Sequence, residues 1–187
     1  MHTLPLPDQA YCGTFRHQGN RARSIAVRLL LKQRLASYGL PYFGVARAES
    51  GQPSLANYKS HLSISHSDTL VGAIISQNKT GLDLETIKEK SIHVAPRFLK
   101  PREIAANFVD SPEQASLCFS LKEAAYKLFS IPGLSVRDSL DLIILTRPDD
   151  DSTSQGSAIC IANADGQMLQ AQLSFWRNGS AWVSLAQ

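Results

Sequence analysis

Three short stretches of this chain hold side chains suited to chemistry. The first is Leu62-Ser63-Ile64-Ser65-His66-Ser67, where a histidine sits among hydroxyls at the end of a β-rich run. Such a turn suits phosphate binding through side chains and backbone N–H groups, or proton transfer by the imidazole. A Ser-His-Asp triad built from Ser65, His66 and Asp68 is a poor reading, because near neighbours in a strand or turn rarely converge. The second is Gly81-Leu82-Asp83-Leu84-Glu85. Strand alternation sends Leu82 and Leu84 to one face and Asp83 and Glu85 to the other, with the two acidic Cα atoms roughly 6.5 Å apart. Two carboxylates at that spacing suit a hard cation, although a solvated sheet face would show the same pattern. The third is Phe119-Ser120-Leu121-Lys122-Glu123-Ala124-Ala125-Tyr126-Lys127. At helical spacing Phe119, Lys122, Glu123, Tyr126 and Lys127 fall on one flank. There Glu123 and Lys127 form an i,i+4 pair that, by itself, reads as a surface ion pair worth a few tenths of a kcal/mol.

These residues need elements to position them. Asn20 to about Tyr38 reads as a helix, with Ala22, Ile25, Ala26, Leu29 and Leu30 at helical spacing and Gly39-Leu40-Pro41 as its stop. Arg21, Arg28 and Lys32 share one flank of it. Short β-rich runs follow at Tyr42–Ala48, His61–Ser65, Leu70–Ser76 and Gly81–Ile87, the middle two suggesting a hairpin. A short helix near Pro101–Phe108 precedes the strongest helical signal. In Ser111-Pro112-Glu113-Gln114, an N-cap serine, a proline at the first helical position and a glutamine at the capping-box position start a helix that runs to about Ser130, before Pro132-Gly133. Its buried stripe is Leu117, Cys118, Leu121, Ala124, Ala125 and Leu128. Four antiparallel strands are expected at Leu140–Thr146, Ser157–Ala162, Leu169–Trp176 and Ala181–Leu185. Their punctuation is Pro148-Asp149-Asp150-Asp151, Asp165-Gly166 and Asn178-Gly179.

A chain of 187 residues with 43% hydrophobic and 19% charged residues can bury a core without disulfides. Its three cysteines, Cys12, Cys118 and Cys160, are scattered and odd in number, which fits core thiols in a reducing compartment. Apolar runs are too short to span a membrane, and Met1 to Tyr11 lacks the charged head and apolar centre of a signal peptide, so a cytoplasmic location is expected. The net charge is only +3, but no Asp or Glu occurs between Gln9 and Ala48, where Arg16, Arg21, Arg23, Arg28, Lys32, Arg34 and Arg47 all fall. A field of one sign attracts an anion: nucleic acid, phosphorylated cofactor or acidic protein. The order of elements, helix then strands and again helix then strands, gives an α+β chain of two lobes meeting near residue 78.

Taken in order, Ser-His-Ser, Gly-x-Asp-x-Glu and Phe-x-x-Lys-Glu-Ala-x-x-Lys resemble the 4′-phosphopantetheinyl transferase superfamily, in particular its two-lobed branch that activates surfactin and enterobactin synthetases. The segment Arg47 to Pro53 resembles the family's Arg-x-x-x-Gly-Lys-Pro, with Gln52 in place of the lysine. Phe119 stands for the commoner tryptophan, Leu82 and Leu84 are apolar swaps, and the chain is shorter than most two-lobed members. The resemblance implies a pseudo-dimer of two similar lobes, residues 1–78 and 79–187, each a small antiparallel sheet packed on a long helix, with the active site in the cleft between them. It implies transfer of the phosphopantetheine arm of coenzyme A to a serine of an apo acyl, peptidyl or aryl carrier protein, leaving adenosine 3′,5′-bisphosphate. Asp83, Glu85 and Glu123 would hold Mg²⁺ or Mn²⁺; Glu123 and Lys127 would be catalytic. Arg23, Arg28, Arg47, Gln52, Ser65, His66, Lys122 and Lys127 would contact the coenzyme. Electrostatics gives an independent reason for the metal: a carboxylate about 4 Å from a phosphate charge is repelled by roughly 4 kcal/mol at an effective dielectric of 20. A monomer is expected, with neither nucleic acid nor membrane as partner. Two other classes are weaker. A metal-dependent nuclease is disfavoured by the four-residue step from Glu123 to Lys127, and a polyanion-binding module by the lack of an aromatic run on a basic strand.

Overall fold

The computed structural model describes residues 4–147, 155–164 and 166–187. The expected turn at Pro148-Asp149-Asp150-Asp151 lies outside the described residues, as does Asp165 of the Asp165-Gly166 turn. The fold is α+β with two antiparallel sheets. Helices α1 (Leu6–Gly13) and α2 (Gln18–Ala36) lead into strands β1 (Val45–Arg47), β2 (Pro53–Leu55), β3 (His61–His66) and β4 (Val71–Ser76), which form a sheet in that order. After β5 (Gly81–Thr86) come the short helices α3 (Ser91–Val94) and α4 (Pro101–Ala106), joined by a 3₁₀ turn, and then the long helix α5 (Pro112–Phe129). Strands β6 (Leu140–Thr146), β7 (Gly156–Ala164), β8 (Gln167–Asn178) and β9 (Ala181–Ala186) complete a second sheet in the order β5-β9-β8-β7-β6.

Helix α2 lays Leu31 and Leu35 against Leu55 and Leu62 of the first sheet. Around α5 a larger core gathers Leu117, Leu121 and Ala125 with Leu140, Leu142, Leu173 and Phe175. The α5 start behaves as its sequence predicts: Ser111 Oγ accepts from Gln114 N at 3.3 Å. The Gln114 side chain accepts instead from Asp110 N, one residue before the N-cap, so the reciprocal half of the box is shifted.

The two sheets meet along β3 and β5. There Leu82, Leu84 and Val183 form a small apolar cluster with Leu70 and Ile74. Two serines act where a strand ladder would otherwise run: Ser63 Oγ accepts from Leu82 N at 2.8 Å, and Ser65 Oγ accepts from Leu84 N at 3.1 Å. The face of β5 that holds Gly81 and Asp83 is covered by α5 instead of facing water. A Cβ on Gly81 would lie 1.9 Å from the Ala124 carbonyl oxygen, so this approach requires glycine. Small residues keep the helix close further along, with Ser120 Oγ donating to Ser184 Oγ at 2.9 Å.

Candidate active site

Alternation along β5 and the face of α5 that meets it bring the three motifs to one point. Lys127 Nζ donates to Asp83 Oδ1 at 2.7 Å, to the Leu82 carbonyl at 3.0 Å and to Ser65 Oγ at 3.2 Å. Ser65 Oγ in turn donates to Asp83 Oδ1 at 2.9 Å. Lys127 thus reaches across to β5, and the surface pair with Glu123 expected from i,i+4 spacing gives way to a half-buried one with Asp83. The other oxygen of this carboxylate, Asp83 Oδ2, is buried with no hydrogen-bond partner.

Glu85 and Glu123 flank that group. Burial pushes the Glu85 carboxyl up to about 7, with the Asp83 charge adding to the effect and Glu123 contributing less. Glu123 is raised in the same way, by burial first and then by Asp83, while Lys127 opposes the shift. The Asp83 charge disfavours ionisation of both Glu85 and Glu123, so added positive charge is welcome at this site. As the side chains stand, no group of three or more His, Cys, Asp or Glu among the described residues is gathered closely enough to hold a metal ion. Lys127 occupies Asp83 Oδ1 instead. The donor chemistry still suits a hard cation, because a buried carboxylate oxygen is unpartnered and two further acids lie within electrostatic reach.

A cavity of about 460 Å³ opens beside this network. Asp83, Lys127, Ser65, His66, Arg47 and Gln52 line it from β5, α5, β3, the end of β1 and the β1–β2 turn. Arg47 Nη1 donates to the Gly51 carbonyl at 2.8 Å. Partial burial, and next the positive charge of Arg23, hold the His66 imidazole below its ordinary value. Arg23 itself donates to Asn20 Oδ1 at 2.7 Å. Glu85 lines a second cavity, of about 480 Å³, with Lys88, Arg97, Phe98 and Phe119.

Two expected contacts are placed otherwise. Lys122 is fully buried: its Nζ pairs with Glu103 Oε2 at 2.8 Å and donates to the Phe98 carbonyl at 3.0 Å. The flank on which the sequence places it does not exist as a solvent face, because α3, α4 and β6 close over that side of α5. Arg28 lines the cavity beside Asp83 but is only 2% exposed. Its Nε donates to Asp8 Oδ1 at 2.8 Å and its Nη1 to Ser24 Oγ at 2.8 Å, so its charge is already answered inside the fold.

Asp8 and Glu103 are the residues sequence reasoning missed. Asp8 also accepts from Tyr42 Oη at 2.6 Å and from Val45 N at 3.2 Å. A signal existed, since Asp8 is the last acid before the acid-free basic segment. Glu103 accepts from Lys100 N, Lys122 Nζ and Leu142 N, tying α4, α5 and β6 together. Its local signal is that of a helix start, a glutamate at the third position of α4 behind Pro101, and nothing there points to Lys122.

Comparison with known proteins agrees with this convergence. The profile of the 4′-phosphopantetheinyl transferase superfamily matches residues 79–183, more than half of the chain and the part that supplies Asp83, Glu85, Glu123 and Lys127. The chain belongs to that superfamily. It is 29% identical over 151 residues, 76% of its length, to a 4′-phosphopantetheinyl transferase of Bacillus subtilis. Over 82 residues, 39% of its length, it is 34% identical to enterobactin synthase component D of Salmonella typhimurium. The matched region spans 66% of the Bacillus protein, just under two thirds, and 35% of the Salmonella protein. Outside the profile, this superfamily member supplies Ser65, His66, Arg47 and Gln52 to the cavity from its first 78 residues.

Proposed function

We propose that this chain moves the 4′-phosphopantetheine group of coenzyme A onto a serine of an apo acyl, peptidyl or aryl carrier protein, releasing adenosine 3′,5′-bisphosphate. The observation that carries the reading is the meeting of Ser65, Asp83 and Lys127, from three distant segments, on the wall of one cavity. Membership of the superfamily and the activity for which the Bacillus relative is named support the same conclusion.

In this reading Arg23, Arg47, Gln52, Ser65 and His66 bind the nucleotide end of coenzyme A. The acid-free segment raises the local potential for a polyanion. Asp83, Glu85 and Glu123 hold a divalent cation, Mg²⁺ or Mn²⁺. When bound, it supplies charge neutralisation between the acids and the coenzyme diphosphate. Lys127 then has a second anion to serve: it steadies the diphosphate as the bond to the leaving nucleotide breaks. Glu123 takes the proton of the carrier serine as its oxygen attacks phosphorus, since an unassisted hydroxyl is a weak nucleophile. Arg28 and Lys122 act through the fold, as their burial indicates, and not by touching the coenzyme.

The repeat of a long helix followed by four antiparallel strands, α2 with β1–β4 and α5 with β6–β9, supports two lobes at residues 1–78 and 79–187 with the site in the cleft between them. A cytoplasmic monomer belongs to the same proposal. Coenzyme-dependent labelling of an apo carrier, read by mass, tests it. Labelling is expected to stop with a metal chelator and to fall about 100-fold or more in Glu123→Gln. Labelling of undiminished rate by that variant in excess Mg²⁺ would remove Glu123 from the mechanism. No labelling of any carrier in a panel of fatty-acid, polyketide and siderophore types would overturn the reading.

A further inference from the structure

Tyr11 lies on α1, outside the region matched by the family profile, and its half-buried ring lines the cavity that Asp83 and Lys127 share. The guanidinium carbons of two arginines sit over that ring, Arg28 at 4.6 Å and Arg47 at 4.9 Å from its centroid. Phe15 braces it edge-on at 5.3 Å. The two arginines are not equivalent. Asp8 pairs with Arg28 inside the fold. Among the described residues no carboxylate pairs with Arg47, whose guanidinium is held by the Tyr11 ring and the Gly51 carbonyl.

An exposed arginine loses rotamer freedom when it orders around an anion, and that loss weakens binding. A side chain already stacked on an aromatic face has lost much of it beforehand. We infer that Tyr11 is a positioning residue for anion recognition, presenting Arg47 in a fixed orientation to the 3′-phosphate of the coenzyme nucleotide. Gln52 stands in the same β1–β2 turn where a lysine would add charge, so the affinity of this site depends the more on how well its remaining cation is held. The inference rests on the proposed function, and it assigns the role to the ring and not to the hydroxyl.

Titration calorimetry with coenzyme A and with 3′-dephospho-coenzyme A, on the full chain, tests it. Tyr11→Leu is expected to weaken coenzyme A binding about 5-fold, to leave the dephospho form within about 2-fold, and to raise KM for coenzyme A with kcat unchanged. Tyr11→Phe keeps the ring and is expected to match the wild type. Arg47→Lys keeps the charge but not the planar stacking group, and is expected to lose as much as Tyr11→Leu, which adds nothing further in an Arg47→Ala background. Because Arg47 is exposed, that arm does not depend on the Tyr11 variants folding. Equal weakening of both nucleotides, equal loss in Tyr11→Phe, or an additive double variant would overturn the inference while leaving the functional reading intact. A wild-type chain that binds neither nucleotide would overturn both.

Discussion

Asp8 answers a buried guanidinium, a phenol and a backbone N–H at once. Removing one partner of a buried ion pair leaves an uncompensated charge, which typically costs about 3–5 kcal/mol. Asp8→Ala is therefore expected to lower stability by that amount in urea titrations. Glu85 makes a prediction of the opposite kind. The folded chain keeps a proton on Glu85 up to about pH 7, whereas the unfolded chain releases it near the ordinary value of 4.5. Native protein thus binds more protons across this window, so Glu85 favours the folded state fully at low pH and loses that contribution as pH rises through 7. Urea midpoints of metal-free protein are expected to decline from about pH 5 to about pH 8 relative to Glu85→Gln. A wild-type midpoint that climbs relative to the variant over that range would refute the assignment.

Helix α5 is positioned on opposite sides by two unrelated devices. Toward β5, glycine and serine let its backbone come close enough for Lys127 to reach Asp83. Toward α4 and β6, the buried Lys122–Glu103 pair sets its rotation. Gly81→Ala puts a methyl group into the Ala124 carbonyl and must displace the helix from the strand that holds Asp83. The expected result is a loss of about 1–3 kcal/mol, with transfer activity falling more than stability does. By contrast Ser111→Ala removes only the N-cap bond. It should cost about 1 kcal/mol and leave kcat unchanged, which separates helix stability from helix placement. The same pairing of α4 with β6 blocks an edge: Glu103 and Asn107 accept from the β6 N–H groups of Leu142 and Ile144, which would otherwise be open to another strand.

In the molecule as a whole, β3 of one sheet and β5 of the other are joined by the Ser63 and Ser65 hydrogen bonds and by the apolar cluster between the sheets, so neither has a separate core at the seam. Unfolding should be one cooperative event. Both tryptophans, Trp176 and Trp182, lie beyond residue 79, while four of the five tyrosines, Tyr11, Tyr38, Tyr42 and Tyr58, lie before it. Tryptophan fluorescence and far-ultraviolet circular dichroism should therefore give superimposable transitions. Ser63→Ala leaves the buried Leu82 N–H unpaired. It should lower the common midpoint by about 1–3 kcal/mol without splitting it, and two separated transitions would show that the sheets fold independently.

Much of this was legible in the chain itself. Alternation in Gly81–Glu85, the serine cap and leucine stripe of α5, and the turn signals between β8 and β9 are local properties, set by backbone geometry and by which side chains water rejects. They located nearly every long element to within a few residues. Short elements whose hydrogen bonds are made elsewhere, α1, β2 and α3, had no local period to announce them. The same limit applied to charge. Spacing could show that Lys122, Glu123 and Lys127 fall within one stretch of helix, but which of them meets a carboxylate depends on what packs against each side of α5. Only the tertiary structure put Lys127 on Asp83, Lys122 on Glu103, Arg28 on Asp8 and Arg47 on Tyr11. Burial makes an unpaired charge costly, and the partner that relieves it is chosen by proximity in space, which sequence separation does not encode.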